Sequence, residues 1–157
     1  MKGFLYFFSF LLGSTIFSQT KQYSVQNLAI NDEKPHFSLS VNNDNEVLFT
    51  SWLLNKNGKV KTYFDEGILR IYTGTKDVSG NIINVEELRI DKKEDIFSIS
   101  SAVYSHNKKK LFVTTNYINR KNRPKGNYKE TNSHIEVAEY KEGVGWTNFK
   151  VLPFCKP

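Results

Sequence analysis

Alternating apolar and polar residues dominate the chain and predict β-strands. One seven-residue pattern occurs three times, at residues 25–31, 85–91 and 149–155, at intervals of 60 and then 64 residues. In each copy an apolar residue opens the segment, and large apolar residues follow at the fourth and sixth positions. These two positions share one face of a strand, because side chains alternate faces with a period of two. Self-similarity of this kind is typical of a blade array with one small sheet per repeat.

Two sets of four strands are predicted between the copies. In the first unit we predict strands at residues 37–41, 47–51, 69–73 and 85–90, with Ile82 between the preceding turn and the last strand. In the second unit we predict strands at residues 98–104, 111–115, 135–139 and 146–154. Turn residues separate them, with Asn and Asp suited to hairpins because they tolerate positive φ and bond to their own backbone. Matching Val47 with Leu111 gives the offset of 64 that also relates Leu88 to Leu152.

The remaining segments complete the predicted architecture. A further strand is predicted at residues 23–30, and two long polar loops, 53–67 and 117–133, fall at matching places, the first with a small ordered piece at residues 63–64. The fold class is therefore all-β with low helix content. It consists of two four-stranded antiparallel propeller blades, about 36–91 and about 97–155, plus an N-terminal orphan strand, which together make an incomplete β-propeller.

An incomplete ring has a consequence for packing. Two blades share one interface and leave two outer faces uncovered, so we expect residues 47–49 to lie near open surface. We therefore predict a piece of a larger propeller, cut short at its carboxyl end. Self-association through the uncovered blade faces is a further expectation.

The first eighteen residues predict a signal peptide, which leaves 19–157 as the partial propeller. Lys2 precedes an apolar run from Phe4 to Phe17, and small Ser18 precedes polar Gln19. This run is shorter than the roughly twenty residues that span a bilayer, so we expect export with cleavage and no transmembrane segment afterwards. The alternative is an uncleaved interfacial helix. Cys155 is the single cysteine, which excludes an internal disulfide and leaves either an incidental thiol or one that reacts or pairs between chains.

Residues 105–116 read Ser-His-Asn-Lys-Lys-Lys-Leu-Phe-Val-Thr-Thr-Asn. This segment resembles the Ser-Pro-Asp-Gly-Lys-Lys-Leu-Tyr-Phe-Thr-Ser-Asn signature of WD40-like, TolB-type propeller repeats. Gly145-Trp146 and the later Leu152-Pro153-Phe154 are similar to blade ends in OmpA-family cell-envelope proteins of Gram-negative bacteria. The resemblance covers about residues 22–157, although Asn107-Lys108 replaces Asp-Gly. It implies a periplasmic or outer-membrane location, while nothing in the chain resembles the peptidoglycan-binding domain of that family.

Residue types that carry chemistry give little support for catalysis. His36, His106 and His134 lack metal-ligand spacing, and we interpret them as surface or turn residues. Residues 42–46 lack the Gly and distant Glu of a calcium loop, and we interpret them as a plain turn. No Gly-x-Ser-x-Gly elbow is present. We therefore expect no metal, no cofactor and no enzyme activity.

Positive charge is the one distinctive surface feature. The formal charge is +6, and loss of Lys2 with the leader would lower it by one to about +5. Both long loops would emerge on one rim of the blades, which predicts an anionic-ligand site. Its residues are Lys56, Lys59, Lys61, Arg120, Lys121, Arg123 and Lys125. The alternative is a solvated loop that maintains solubility.

The partners expected at this rim are an envelope protein or an anionic glycan. Nucleic acid is not expected as a partner, because an exported protein leaves the compartment that contains nucleic acid. Two functions remain open. The first is a non-catalytic cell-envelope binding or scaffold module, the N-terminal part of an OmpA-family propeller protein. The second is a fragment of an exported propeller hydrolase or of a TolB-like periplasmic protein.

Overall fold

The structure, a computed structural model, describes residues 25, 27–42, 45–63, 65–116 and 133–155. These parts of the chain contain ten strands and no helix. All strand pairs are antiparallel, and they form two sheets of four strands and one of two. The all-β prediction is confirmed, with two four-stranded antiparallel sheets at the predicted places.

Both large sheets are meanders whose strands lie side by side in chain order. Sheet one contains β1 (Phe37–Val41), β2 (Glu46–Trp52), β5 (Leu69–Lys76) and β6 (Ile82–Glu87). Sheet two contains β7 (Ile99–Tyr104), β8 (Lys110–Asn116), β9 (Ser133–Lys141) and β10 (Gly145–Val151). The small sheet pairs β3 (Thr62–Tyr63) with β4 (Glu66–Gly67). It lies in the connection between β2 and β5.

Turns in the first half of the chain share one design. Asn42, Asn55 and Asp77 each accept a backbone hydrogen bond from the residue three positions later. That later residue has positive φ in every case: 59° at Asn45, 74° at Gly58 and 87° at Gly80. Asn and Gly occur at these positions because they adopt left-handed φ at little cost.

The predicted long loop at residues 53–67 is more ordered than its polar composition suggests. Leu54 forms a bridge with Val60 around the turn at Asn55. Tyr63 then lies in β3, where an ordered piece was predicted, while residue 64 is outside the described residues. The connection is therefore a pair of short hairpins.

The two large sheets repeat the same strand register. Glu46 pairs with Thr75 where β2 meets β5, and Lys110 pairs with Glu139 where β8 meets β9. Both ladders keep their register for seven pairs, and each residue of the second lies 64 positions after its counterpart in the first. The offset predicted from the sequence is confirmed at the level of individual backbone pairs.

A matching irregularity marks the last strand of each sheet. The ladder between β5 and β6 shifts register between Thr73 and Thr75, and the ladder between β9 and β10 shifts between Thr147 and Lys150. Asn84 in the first bulge has φ of 53°, and Asn148 in the second has φ of 58°. A β-bulge bends its strand and often needs a residue that tolerates left-handed φ. The repeat therefore extends to its irregular backbone positions.

The sheets stack in a head-to-tail manner. Leu48 of sheet one and Leu111 and Val113 of sheet two are buried in one core cluster between the sheets. The counterparts of Leu111 and Val113 in sheet one are Val47 and Phe49, which flank Leu48 in β2 and belong to a separate cluster. Because side chains alternate along a strand, Val47 and Phe49 point to the opposite face. One face of sheet one thus packs on the other face of sheet two.

The expected exposure of residues 47–49 is wrong. Val47 and Leu48 are 0% exposed and Phe49 is 3% exposed. Leu28 and Ile30, from the segment that precedes β1, pack on the face of sheet one that sheet two leaves uncovered. The neighbouring chain segment thus replaces a further sheet at this position.

The predicted N-terminal orphan strand is also wrong for its described part. Asn31 N donates to Leu28 O over 3.0 Å, so residues 28–31 form a turn, and no strand includes them. A strand needs a neighbouring backbone to pair with, and here Ala29 N instead donates to the Asn81 side chain over 3.3 Å. Residues 23, 24 and 26 of this prediction lie outside the described residues.

Truncation of Leu48 should weaken the interface between the sheets. Leu48→Ala is expected to lower the free energy of unfolding by about 2–5 kcal/mol, because it removes buried methyl groups and leaves a cavity. Val78→Ala is the control, since Val78 is fully exposed in the turn between β5 and β6. Urea unfolding followed by circular dichroism measures both. Equal effects of the two substitutions would contradict a core at Leu48.

Candidate binding surfaces

Three of the predicted rim lysines lie on one ordered hairpin. Lys56 and Lys59 belong to the turn closed by the Leu54–Val60 bridge, and Lys61 follows directly. All three are exposed, and no ion pair joins them to another described residue. Lys61 N donates to Leu53 O over 2.8 Å, which fixes the backbone beyond the turn.

Asn55 organises this hairpin through its side chain. Its Oδ1 atom accepts from Asn57 N over 2.8 Å and from Lys59 N over 3.1 Å. An Asn at the first position of a turn stabilises the turn in this way. The lysines therefore project from a defined backbone.

The other four predicted rim residues lie outside the described parts of the chain. They are Arg120, Lys121, Arg123 and Lys125. The strands on either side of this connection are described. Ser98 contacts both the strand that precedes it and the strand that follows the first connection. Ser98 Oγ accepts from Leu69 N at the start of β5 over 3.1 Å, and Ser98 O accepts from Thr115 Oγ1 near the end of β8 over 2.6 Å. Both connections therefore leave the same end of the stacked sheets, and the rim as a whole stays a prediction.

A groove of about 490 Å³ lies between the two sheets at their opposite end. This end carries the tight hairpins that join β1 to β2, β5 to β6, β7 to β8 and β9 to β10. Tyr104, Tyr140 and Trp146 supply aromatic rings, and Glu86 and Glu87 supply exposed carboxylates. The Tyr104 and Trp146 rings are stacked with centroids 5.4 Å apart, and Tyr140 contacts Trp146 edge-on at 5.5 Å. Trp146 is buried, so Tyr140, at 58% exposure, is the aromatic ring most available to solvent.

Glu46 links the sheets at the floor of this groove. Its carboxylate accepts from Tyr104 Oη over 3.2 Å and from Lys108 Nζ over 2.9 Å, both in sheet two or its first hairpin. Burial raises the pKa of Tyr104, and the negative charge of Glu46 raises it further. These hydrogen bonds join the two sheets. Sequence analysis missed them because Tyr104 and Lys108 lie 58 and 62 residues from Glu46 along the chain.

A second groove, of about 320 Å³, lies against the segment before β1. Its floor is apolar, with Ile30, Phe49 and Tyr72 among the residues. At its mouth, Asp32 accepts hydrogen bonds from the side chain and backbone of Lys34, which lower the pKa of Asp32 to about 2. His36 Nε2 lies 3.0 Å from the same carboxylate. The groove thus has a polar edge and an apolar floor.

The interpretation of all three histidines as surface or turn residues is wrong for His134. His106 is exposed in a turn and His36 is half-buried, but His134 is only 4% exposed. Its Nε2 atom lies 2.6 Å from Glu136 Oε1, and Glu136 is also 4% exposed. Alternation along β9 places both on the face that carries buried Ala138. The spacing of two residues within a strand was the available signal.

The His134–Glu136 pair belongs to no metal-binding cluster within the part of the chain that the structure describes. Among the described residues, no group of three or more His, Cys, Asp or Glu side chains could hold a metal ion.

The described parts also contain no helix with the length and apolar character needed to cross a bilayer.

Comparison with protein-family models, curated proteins and solved structures finds no match to this chain.

Loss of the Tyr104 hydroxyl should change how stability depends on pH. A raised folded-state pKa stabilises the protein below the ordinary tyrosine pKa of about 10, and this contribution is lost as pH rises further. Tyr104→Phe should therefore flatten the fall in unfolding free energy above about pH 10. It should also cost about 1 kcal/mol at neutral pH through the lost hydrogen bond to Glu46.

Urea unfolding across a pH series measures this effect. Tyr140→Phe is the matched control, because it removes a hydroxyl from a ring that is already exposed. An unchanged slope in Tyr104→Phe would show that the hydroxyl of Tyr104 is equally accessible in the folded and unfolded states.

Proposed function

We propose that this chain is a pair of consecutive β-propeller blades that serves as a non-catalytic binding or scaffold module of the cell envelope. The observation that carries the proposal is the head-to-tail stacking of two sheets with the same register. Radial repetition of four-stranded meanders is the building rule of propellers. Each blade there presents one face to the preceding blade and the other face to the next.

Two sheets related by a two-fold axis would bury equivalent residues. Here Leu48 is fully buried between the sheets, whereas its counterpart Phe112 lies on the outer face of sheet two and is only partly buried. The same holds for Ile71, which is buried, and its counterpart Ile135, which is half-buried. A rotation that maps one sheet onto the next, as in a propeller, accounts for this difference.

The leader supports export from the cytoplasm. Residues 1–18 have the positive start, apolar run and small residue of a secretory signal, and they lie outside the described residues. A single cysteine is compatible with a protein that is stabilised by sheet packing in an oxidising compartment. Together with the resemblance of residues 105–116 and 145–154 to envelope propellers, this supports a location in the periplasm or at the outer membrane of a Gram-negative bacterium.

The binding surface of the module is the basic rim, and its ligand is an anionic glycan or an acidic envelope protein. Three exposed lysines project from the ordered hairpin at Asn55. The connection that carries the other four basic residues begins and ends at the same end of the sheets, as the contacts of Ser98 indicate. Clustered positive charge raises the local concentration of anions and speeds their association.

Removal of the rim charges should weaken binding to an anionic polysaccharide. Lys56→Ser, Lys59→Ser and Lys61→Ser together are expected to shorten retention on such a column, because exposed charge pairs contribute about 0.2–1 kcal/mol each. Further replacement of Arg120, Lys121, Arg123 and Lys125 by Ser in the same variant should abolish retention. The salt concentration needed for elution is the measurement.

The control removes the same charge from the other end of the sheets. Lys76, Lys109 and Lys141 are exposed near the tight hairpins, and their replacement by Ser keeps the net charge equal to that of the first variant. If this control elutes as early as the rim variant, retention depends on net charge alone and the rim is not a site.

A further inference from the structure

The second copy of the seven-residue pattern has a defined seat on sheet two. Leu88 is buried in the core between the sheets, and Ile90 packs against it. Ile90 also forms a parallel bridge with Trp146, whose backbone N donates to Arg89 O over 2.9 Å. Asp91 N in turn donates to Trp146 O over 2.9 Å. The end of this copy therefore lies along the start of β10.

The first copy has an equivalent seat on sheet one. Leu28 and Ile30 pack on the cluster formed by Val47, Phe49 and Ile82. By the offset of 64, these three residues are the counterparts of Leu111, Val113 and Trp146, which surround the second copy. The first two copies thus occupy the same position on successive sheets.

The third copy has no such seat among the described residues. Phe154, the counterpart of Ile90, is 71% exposed, and Leu152, the counterpart of Leu88, is half-buried. Beside it, the outer face of sheet two carries a cross-strand row of Val103, Phe112 and Val137. Val103 is 48% exposed, so this row meets solvent.

We infer that the outer face of sheet two docks onto sheet one of a second copy of this chain, with Leu152 and Phe154 in the seat that Leu28 and Ile30 occupy. The occupant is specified by the interface already present, in which the Leu48 face of sheet one, the counterpart of the outer face of sheet two, packs on the Leu111 and Val113 face of sheet two. The face of sheet one with Val47 and Phe49 is the counterpart of this Leu111 and Val113 face. The outer face of sheet two is therefore expected to fit it in the same way.

Residues 27–36 compete with this docking as an intramolecular plug. Leu28 and Ile30 already fill the seat in their own molecule, and a segment tethered within the chain has a high effective concentration. The chain stays largely monomeric while the plug is in place. Once it is displaced, association is head-to-tail, which builds rings or filaments instead of closed two-fold dimers.

Disulfide trapping tests the geometry. Cys155 is the counterpart of Asp91, and Ile83 is the counterpart of Thr147, whose Oγ1 lies 3.5 Å from Asp91 Oδ2. In the docked pair, Cys155 of one molecule therefore lies beside position 83 of the next. Ile83→Cys in the otherwise native chain, oxidised with copper phenanthroline, should give a ladder of linked chains longer than dimers on a non-reducing gel.

Two comparisons sharpen this trapping experiment. Val78→Cys provides an equally accessible thiol in the turn between β5 and β6, and it should give no ladder. Addition of Leu28→Ser and Ile30→Ser to Ile83→Cys should make the ladder form faster, because the plug is weakened. Absence of a ladder in Ile83→Cys, or the same ladder in Val78→Cys, would overturn the inference.

Light scattering gives a second, independent measurement. The chain with Leu28→Ser and Ile30→Ser should shift from the mass of one chain to multiples of it, and Phe154→Asp added to this variant should return the mass to one chain. Phe154 is already exposed, so its replacement tests docking more than folding. Retained high mass in the combined variant would mean that unspecific exposure of sheet one drives association, and the inference would fail.

Discussion

Strand β2 is apolar on both of its faces, and the rest of the structure depends on this constraint. Val47, Leu48 and Phe49 follow one another, so alternation sends side chains to both sides of sheet one. Each fully buried side chain of this size contributes about 1.5–3 kcal/mol compared with an exposed one. Sheet two covers Leu48, and residues 27–36 cover Val47 and Phe49. Without both covers, a large apolar surface would meet water.

Polar contacts fix how the two sheets meet. Thr50 is fully buried, yet its Oγ1 donates to Ser100 O over 3.0 Å, and Arg70 Nη1 donates to Phe97 O. A buried polar group without a partner costs about 1–3 kcal/mol, so a slip of one sheet along the other would be penalised at each contact. Apolar packing alone is non-directional. The hydrogen bonds therefore select one register for the stack.

Sequence patterns predicted the sheets well because their signals are local. Alternation and turn residues located the strands, and the offset of 64 identified pairs of residues with the same backbone environment, such as Asn84 and Asn148. The turn at Leu28 was missed because a strand there would need a partner strand that alternation cannot reveal. The His134–Glu136 pair was missed because burial of two polar residues depends on a sheet that packs over them.

The candidate surfaces were predicted less completely than the fold. Lys56, Lys59 and Lys61 were recognised by charge, and the structure adds that Asn55 holds the turn with Lys56 and Lys59, while Lys61 N donates to Leu53 O. The groove beside Glu46 carried no sequence signal, because its walls come from strands that meet only when the sheets stack. Charge is visible in a sequence wherever it occurs, but a concave surface is a property of the assembled sheets.

The contacts between equivalent sheets do not limit the number of sheets in a stack, because every sheet presents one face that fits the opposite face of the next. Repeat proteins therefore need terminal caps that are apolar inside and polar outside. The segment before β1 has this character: Ile30 faces the core of sheet one, whereas Asp32, Lys34 and His36 form a hydrogen-bonded polar edge. At the opposite end of the stack, the outer face of sheet two meets solvent with Val103 and Phe154. The two ends of the described stack thus differ in character, and this asymmetry gives any association between molecules a direction.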